Sequence, residues 1–258
     1  MKIALVFDYL TQFGGGERVL GALCEMFPEA PIFTLIYDEK KTNGVFKGRK
    51  IHTSFLQKIP GSKKYFRYLI PLMPLAVEQF DLAAFDAVIS VSHSFGKGII
   101  TKPGTKHICY CLNPTRYLWH DSNRYLVFKS IPKFILTYLR IWDYQAAQRV
   151  DHFITCSENV HQRIKKYYNR ESEVIYPPVD TNKFDKLSRY LYHDRDINSD
   201  LEYGSDSYFL MVGRLVPYKR FDIAVEAFSK LPNEKLLIIG NGPECRKLKV
   251  ISNKLKTK

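Results

Sequence analysis

Two short stretches hold the residue types from which a site for a negatively charged ligand can be built. The first is "FGGGERVL", where Gly14, Gly15 and Gly16 stand between an apolar run and what reads as the first turn of a helix, beginning at Glu17. Three consecutive glycines cost backbone entropy on folding, so they need a reason. They either bring backbone N–H groups close to a phosphate at a helix start, or they simply turn a corner. The second stretch is "GRLVPYKRFD", in which Gly213 closes a strand and Arg214 and Lys219 follow within one loop before a helix near Phe221. A guanidinium and an ammonium at a strand's carboxyl end, beside a helix N-terminus, suit a diphosphate. A solvated basic loop is the plainer alternative for that stretch taken alone.

The elements around these stretches follow from hydrophobic periodicity. "KIALVFDY", "APIFTLIYD", "FDAVISVSHS", "KHICYCL", "DHFITCS" and "SEVIYPPV" read as buried strands. "ERVLGALCEMF" reads as a helix with Val19, Leu20, Leu23, Met26 and Phe27 on one stripe, and a second helical stretch runs from about Pro132 to Val150. Buried strands alternating with helices specify an α/β fold with a parallel sheet covered on both faces. From Asp180 to Asp206 the pattern dissolves into charged sequence, entered through the stiff Pro177-Pro178 pair. A second series then begins, "YFLMVGR", "FDIAVEAFSKL", "KLLIIGNG" and "PECRKLKVISNKLK", a β-α-β-α unit of two strands. The expected organisation is a Rossmann-like domain over 1–178, a linker over 179–206 and an incomplete second Rossmann-like domain over 207–258.

Composition narrows the classes of partner. Lys and Arg total 39 against 26 Asp and Glu, a net charge of +13 that calls for an anionic partner. Nucleic acid has only charge in its favour, since no nucleic-acid motif occurs, and it is set aside. Aromatic residues make up 14% of the chain. "KIPGSKKYFRYLIPLMPLAVEQF" and "RYLVFKSIPKFILTYLRIW" mix them with Lys and Arg, as helices lying on an anionic membrane surface do. Core helices with snorkelling lysines are the alternative. No apolar run of about 18 residues is present, so no membrane span is expected, and no signal peptide is recognised. The five cysteines, Cys24, Cys109, Cys111, Cys156 and Cys245, form no CxxC pair and read as buried free thiols of a cytoplasmic protein. Gly14 to Val19 lacks the third glycine of the dinucleotide fingerprint, which disfavours a nicotinamide or flavin site.

Taken together, "GGGERVL", "VIYPPVDTNKF", "GRLVPYKRFDIAVEAF" and "LLIIGNGPE" resemble, in order and along essentially the whole chain, retaining glycosyltransferases of family 4, which adopt the GT-B fold. "HICYCLNPTRYLWHD" is similar to the bacterial branch that builds O-antigen, capsule and exopolysaccharide, many of whose members are mannosyltransferases. The resemblance implies a hexose transferred from a GDP- or UDP-linked sugar to a polyprenyl-diphosphate-linked glycan at the inner face of the cell membrane. It implies that Arg214 and Lys219 neutralise the departing diphosphate. Gly14, Gly15, Gly16 and Glu17 would line the donor side of the first domain, with Gly213, Gly240 and Gly242 near the nucleotide. No cofactor or metal is expected: Asp194-Arg195-Asp196 lies in the linker and reads as solvated charge. Leu112 stands where members of this branch often carry a histidine, and His120 and His107 are the nearby candidates to take over its role. A structural or surface histidine is the alternative reading for both. The family's E-x7-E segment is expected after the nucleotide loop, and the sequence stops at "ISNKLKTK" before it. The expectation is a C-terminally truncated chain, with a catalytically inactive paralogue that binds membrane or a partner as the second reading.

Overall fold

The structure is a computed structural model that describes residues 1–119, 132–181 and 208–255. The chain divides into two compact units, Met1–Asp180 and Thr181–Lys258.

The first unit is organised by short runs of β-branched and aromatic residues that are buried on both sides. Its strands are β1 (Ile3–Phe7), β2 (Ile32–Thr34), β3 (Ile51–Thr53), β4 (Ala87–Ser92), β5 (Lys106–Cys111), β6 (His152–Thr155) and β7 (Glu173–Val174). They form one sheet in the order β3-β2-β1-β4-β5-β6-β7, parallel at every pairing. The strand order reverses direction at the β1–β4 pair, where a doubly wound sheet opens its ligand crevice. Strand alternation sends successive β1 side chains to different core clusters. Ala4 and Val6 join one cluster, with Met73, Val77, Leu139 and Trp142. Leu5 and Phe7 join the other, with Val19, Leu20 and Cys24. The helices are α1 (Gly15–Met26), the short α2 (Ser62–Tyr65), α3 (Met73–Glu78) and α4 (Arg116–Trp119), then α5 (Lys133–Gln148) and α6 (Glu158–Tyr168).

Several boundaries differ from the sequence expectation. α1 buries Glu17, Val19, Leu20 and Cys24, while Met26 is 67% exposed. Six positions beyond Leu20, Met26 is rotated about 240° around the helix, off the buried face. β3 and α6 were not anticipated. β3 is a three-residue edge strand in a basic stretch. α6 buries only Val160, Ile164 and Tyr168, at i, i+4 and i+8, among charged residues. It is fixed by its ends: the Ser157 hydroxyl accepts from Val160 N at 3.4 Å, and Asn169 closes the helix in the left-handed region at φ 53°. Cys109 and Cys111 share one buried face, as their spacing requires. Cys24, Cys109 and Cys111 are buried thiols, while Cys156 and Cys245 are half-buried.

In the second unit β8 (Phe209–Val212) pairs parallel with β9 (Leu236–Ile239). Helices α7 (Phe221–Phe228) and α8 (Cys245–Leu255) supply Phe221, Val225 and Leu248 to a small core with Leu215, Met211, Leu236 and Ile238. The alternate residues Leu210, Val212, Leu237 and Ile239 are exposed on the opposite face. Among the described residues no helix is long and apolar enough to cross a membrane, and no group of three metal-ligating side chains is found.

Candidate functional site

At the strand-order reversal, β1 ends at Phe7 and β4 at Ser92, so the next residues, Asp8 and His93, meet at adjacent carboxyl ends. Asp8 is fully buried, and it accepts hydrogen bonds from Ser92 Oγ at 3.0 Å, His93 N at 2.7 Å and Gly96 N at 2.5 Å. His93 Nδ1 lies 2.7 Å from its Oδ2. Burial pushes the Asp8 pKa up, but the His93 charge and these hydrogen bonds outweigh it and bring the carboxyl down to about 2. Burial likewise works against a charged His93, and the Asp8 carboxylate overcomes it and raises the imidazole above its ordinary value. An ion pair therefore stands at the carboxyl ends of β1 and β4, its carboxylate buried and about a third of its imidazole exposed.

The glycine loop borders this pair. Gly14 has extended backbone and caps the start of α1, and its N–H donates to Glu17 Oε2 at 2.9 Å. Glu17 is buried; that burial raises its pKa, and its charge reaches His93. The three glycines differ in what they face. A side chain on Gly16 would meet Leu112 Cδ1 at 2.7 Å and Phe7 Cζ at 3.4 Å, so this glycine lets the helix start sit on the sheet. Gly15 has open space where a side chain would stand. Leu112, at the position where a histidine was looked for, fills the space Gly16 leaves.

Of the two histidine candidates from sequence, His107 is a sheet residue with no exposed surface. Its Nε2 lies 2.8 Å from Ser90 Oγ, and its Nδ1 has no hydrogen-bond partner among the described residues. Burial lowers its pKa to about 3, so it is neutral. His120 lies outside the described residues, as does Asp194-Arg195-Asp196. The pair that the sequence did not point to is Asp8 and His93. Its signal was a polar residue directly after each of two apolar strands.

In the second unit the loop after β8 is stitched to the loop after β9. Gly213 N donates to Ile239 O and Leu215 N to Asn241 O, both at 3.0 Å. This brings Gly213, Gly240 and Gly242 together. A side chain on Gly240 would stand 1.9 Å from Gly213 O, and one on Gly242 would stand 2.2 Å from Leu215 O. Both obstacles are backbone. Arg214 and Lys219 are exposed in the same β8–α7 loop, the ammonium of Lys219 lying over the Tyr218 ring at 5.9 Å. Gly240→Ala is expected to destabilise this unit by about 3 kcal/mol, the upper end for overpacking, while Gly15→Ala leaves the first unit nearly unchanged. Hydrogen exchange of the β8 and β9 amides checks this. Unchanged protection in Gly240→Ala would show the loops are not held this closely.

A family model described as Glycosyltransferase Family 4 matches residues 13–183, and one described as Glycosyl transferases group 1 matches residues 193–258. Among solved structures, Anabaena HepE in complex with UDP is 14% identical with a TM-score of 0.59, over 100% of this chain and 67% of that one. A UDP-N-acetylglucosamine 2-epimerase is 11% identical with a TM-score of 0.42, over 98% and 66%. A glycotransferase of kitacinnamycin is 11% identical with a TM-score of 0.39, over 92% and 65%. Only the first likeness is strong enough to speak for the fold. The chain spans about two thirds of the length of each. No curated protein sequence matches it.

Proposed function

Because the chain belongs to glycosyltransferase family 4, we propose that it takes part in moving a hexose from a nucleotide-diphosphate sugar to a lipid-linked glycan of the cell surface. The observation that carries the reading is the β8–α7 loop, where Arg214 and Lys219 stand exposed beside glycines packed backbone to backbone. Two cations there would neutralise a diphosphate as it leaves, without a divalent metal. GDP and UDP are the two nucleotides proposed. HepE was solved in complex with UDP, and resemblance to the O-antigen and capsule branch favours mannose carried on GDP. Transfer with retention, by front-face attack of an acceptor hydroxyl, follows from the same resemblance.

Calorimetry with GDP and UDP tests the donor reading. One of them is expected to bind the full chain, and Arg214→Ala or Lys219→Ala to weaken binding roughly tenfold or more, as loss of a charge-assisted hydrogen bond does. Absence of binding, or affinity indifferent to both substitutions, would sink it.

A lipid-linked acceptor calls for a protein that works at a membrane surface. Tyr65, Tyr68, Leu72 and Leu75 are exposed beside Lys63, Lys64 and Arg67, while Ile70, Met73, Ala76 and Val77 of the same segment are buried in the core. On α5, Phe134, Tyr138 and Ile141 are exposed, and Leu139 and Trp142 are buried. Apolar residues on the solvent side of helices that already bury a core face support interfacial docking over snorkelling alone. Co-sedimentation with vesicles rich in phosphatidylglycerol, lost in a Tyr65→Ser, Tyr68→Ser, Leu72→Ser variant, is the expected result. Equal pelleting by that variant would refute this surface.

A further inference from the structure

The glycine loop and the basic loop leave the Asp8–His93 pair without a role. The Nδ1 edge of His93 is locked onto a buried carboxylate, so Nε2 is the edge that remains, and it shares a 3.2 Å hydrogen bond with the Tyr9 hydroxyl. The Tyr9 ring stands edge-on to His93 at 5.3 Å and packs against Phe66 at 4.8 Å. Charge decides what such a ligand can be. The charged groups acting on His93 are Asp8 and Glu17 on one side and Arg116 on the other. Two carboxylates against one imidazolium and one guanidinium leave no net charge. A diphosphate gains little from a neutral ensemble, whereas Arg214 and Lys219 offer it two cations. A pyranose suits it well: hydroxyls that both donate and accept meet a strong N–H donor and a phenol, and apolar C–H faces meet the aromatic rings.

We propose that His93 Nε2 and the Tyr9 hydroxyl bind hydroxyl groups of a neutral sugar, with Asp8 as the positioning residue that fixes the imidazole. The inference rests on the glycosyltransferase reading and assigns the sugar contact of the first unit. Imidazolium held by Asp8 is a donor and not a base, so His93 holds the sugar and takes no proton from it. The sugar belongs either to the donor or to the acceptor.

Long-range 1H–15N spectra of the full chain, labelled at histidine, read the contact directly. Methyl α-mannopyranoside and methyl α-glucopyranoside stand for the acceptor, UDP-glucose and GDP-mannose for the donor, and UDP and GDP alone for the nucleotide. The expected result is movement of the His93 Nε2 signal with sugar-bearing ligands and not with UDP or GDP. Response to free glycosides assigns an acceptor sugar, and response to nucleotide sugars alone assigns the donor's. His93→Asn keeps an N–H for Asp8 and lacks the Nε2 edge. It is expected to weaken sugar binding about tenfold or more with unchanged nucleotide affinity. Asp8→Asn is expected to lower the His93 titration midpoint. A silent His93 signal, the same shift with UDP or GDP alone, or full sugar affinity in His93→Asn overturns the proposal. If nucleotides bind and His93 stays silent, this inference fails alone. If glycosides move His93 and no nucleotide binds, the donor reading fails and this one stands.

Discussion

Lys97→Met is expected to cost the first unit about 3–5 kcal/mol, the effect of removing one partner of a buried ion pair. Lys97 follows β4 and is 1% exposed. Its ammonium donates to Ser94 O at 2.5 Å, Thr115 Oγ1 at 3.3 Å and Asp143 Oδ1 at 2.5 Å. It also lies over the Tyr168 ring at 5.3 Å. Asp143, fully buried on α5, accepts further hydrogen bonds from Thr115 Oγ1 and Trp119 Nε1 at 2.7 Å and from Tyr168 OH at 2.8 Å. Three neutral donors remain for the carboxylate once the lysine is gone, but its counter-charge does not. Against a total of roughly 5–15 kcal/mol for a domain, that loss removes a large share of the stability.

The same network joins the loop after β4, which carries His93, to the loop after β5 and to α4, α5 and α6. Its loss should therefore loosen the site as well as the core. Urea titration of Lys97→Met, Asp143→Asn and the double variant Lys97→Met, Asp143→Leu checks the assignment. The double variant should recover part of the loss, since it leaves no buried charge unpaired, but not all, because Thr115, Trp119 and Tyr168 lose their acceptor. A cost below about 1 kcal/mol for Lys97→Met would mean that water reaches the pair.

This network could not be read from the sequence, and the reason is physical. "SFGKGI" and "IWDYQ" are unremarkable when read separately, and Lys97 and Asp143 are 46 residues apart. Asp8 and His93 are 85 apart and meet only because β4 pairs with β1. What was legible is what the chain writes contiguously. β1, β4, β5 and β6 are apolar runs, and the family motifs of the β8–α7 loop lie within ten residues. β3 and α6 escaped because an edge strand and an outer helix bury too few side chains to stand out from Lys, Arg and Glu. The glycines of "FGGGERVL" were legible as a loop before a helix. That Gly16 serves packing against Leu112 while Gly15 faces open space depends on a side chain about a hundred residues away along the chain.

Stability of the first unit should peak near pH 6.5 and decline on both sides, because two histidines, His107 and His93, titrate in opposite senses. Burial lowers the folded-state pKa of His107 from 6.5 to about 3. Below pH 6.5 the unfolded chain therefore binds a proton that the fold refuses, and stability falls as pH drops from 6.5 towards 3. The full loss is on the order of 5 kcal/mol, at 1.36 kcal/mol per pKa unit. The Asp151 carboxylate opposes burial only in part, while Ser90 occupies Nε2 and Nδ1 has no acceptor among the described residues. His93 runs the other way. Its pKa is raised by Asp8, so its contribution is complete below pH 6.5 and is lost as pH climbs through the folded value. Asp8, depressed from 3.8 to about 2, contributes fully above about pH 4 and adds a second decline between pH 4 and 2. Urea midpoints from pH 3 to 9 trace the profile, and each limb has its own variant. His107→Leu leaves the Ser90 hydroxyl without a partner, a cost of about 1–3 kcal/mol at every pH, yet it should flatten the limb between 6.5 and 3. His93→Asn should flatten the alkaline limb and leave the acid one in place. An acid limb that survives His107→Leu unchanged would place the responsible proton elsewhere and show that His107 is hydrated enough to accept charge.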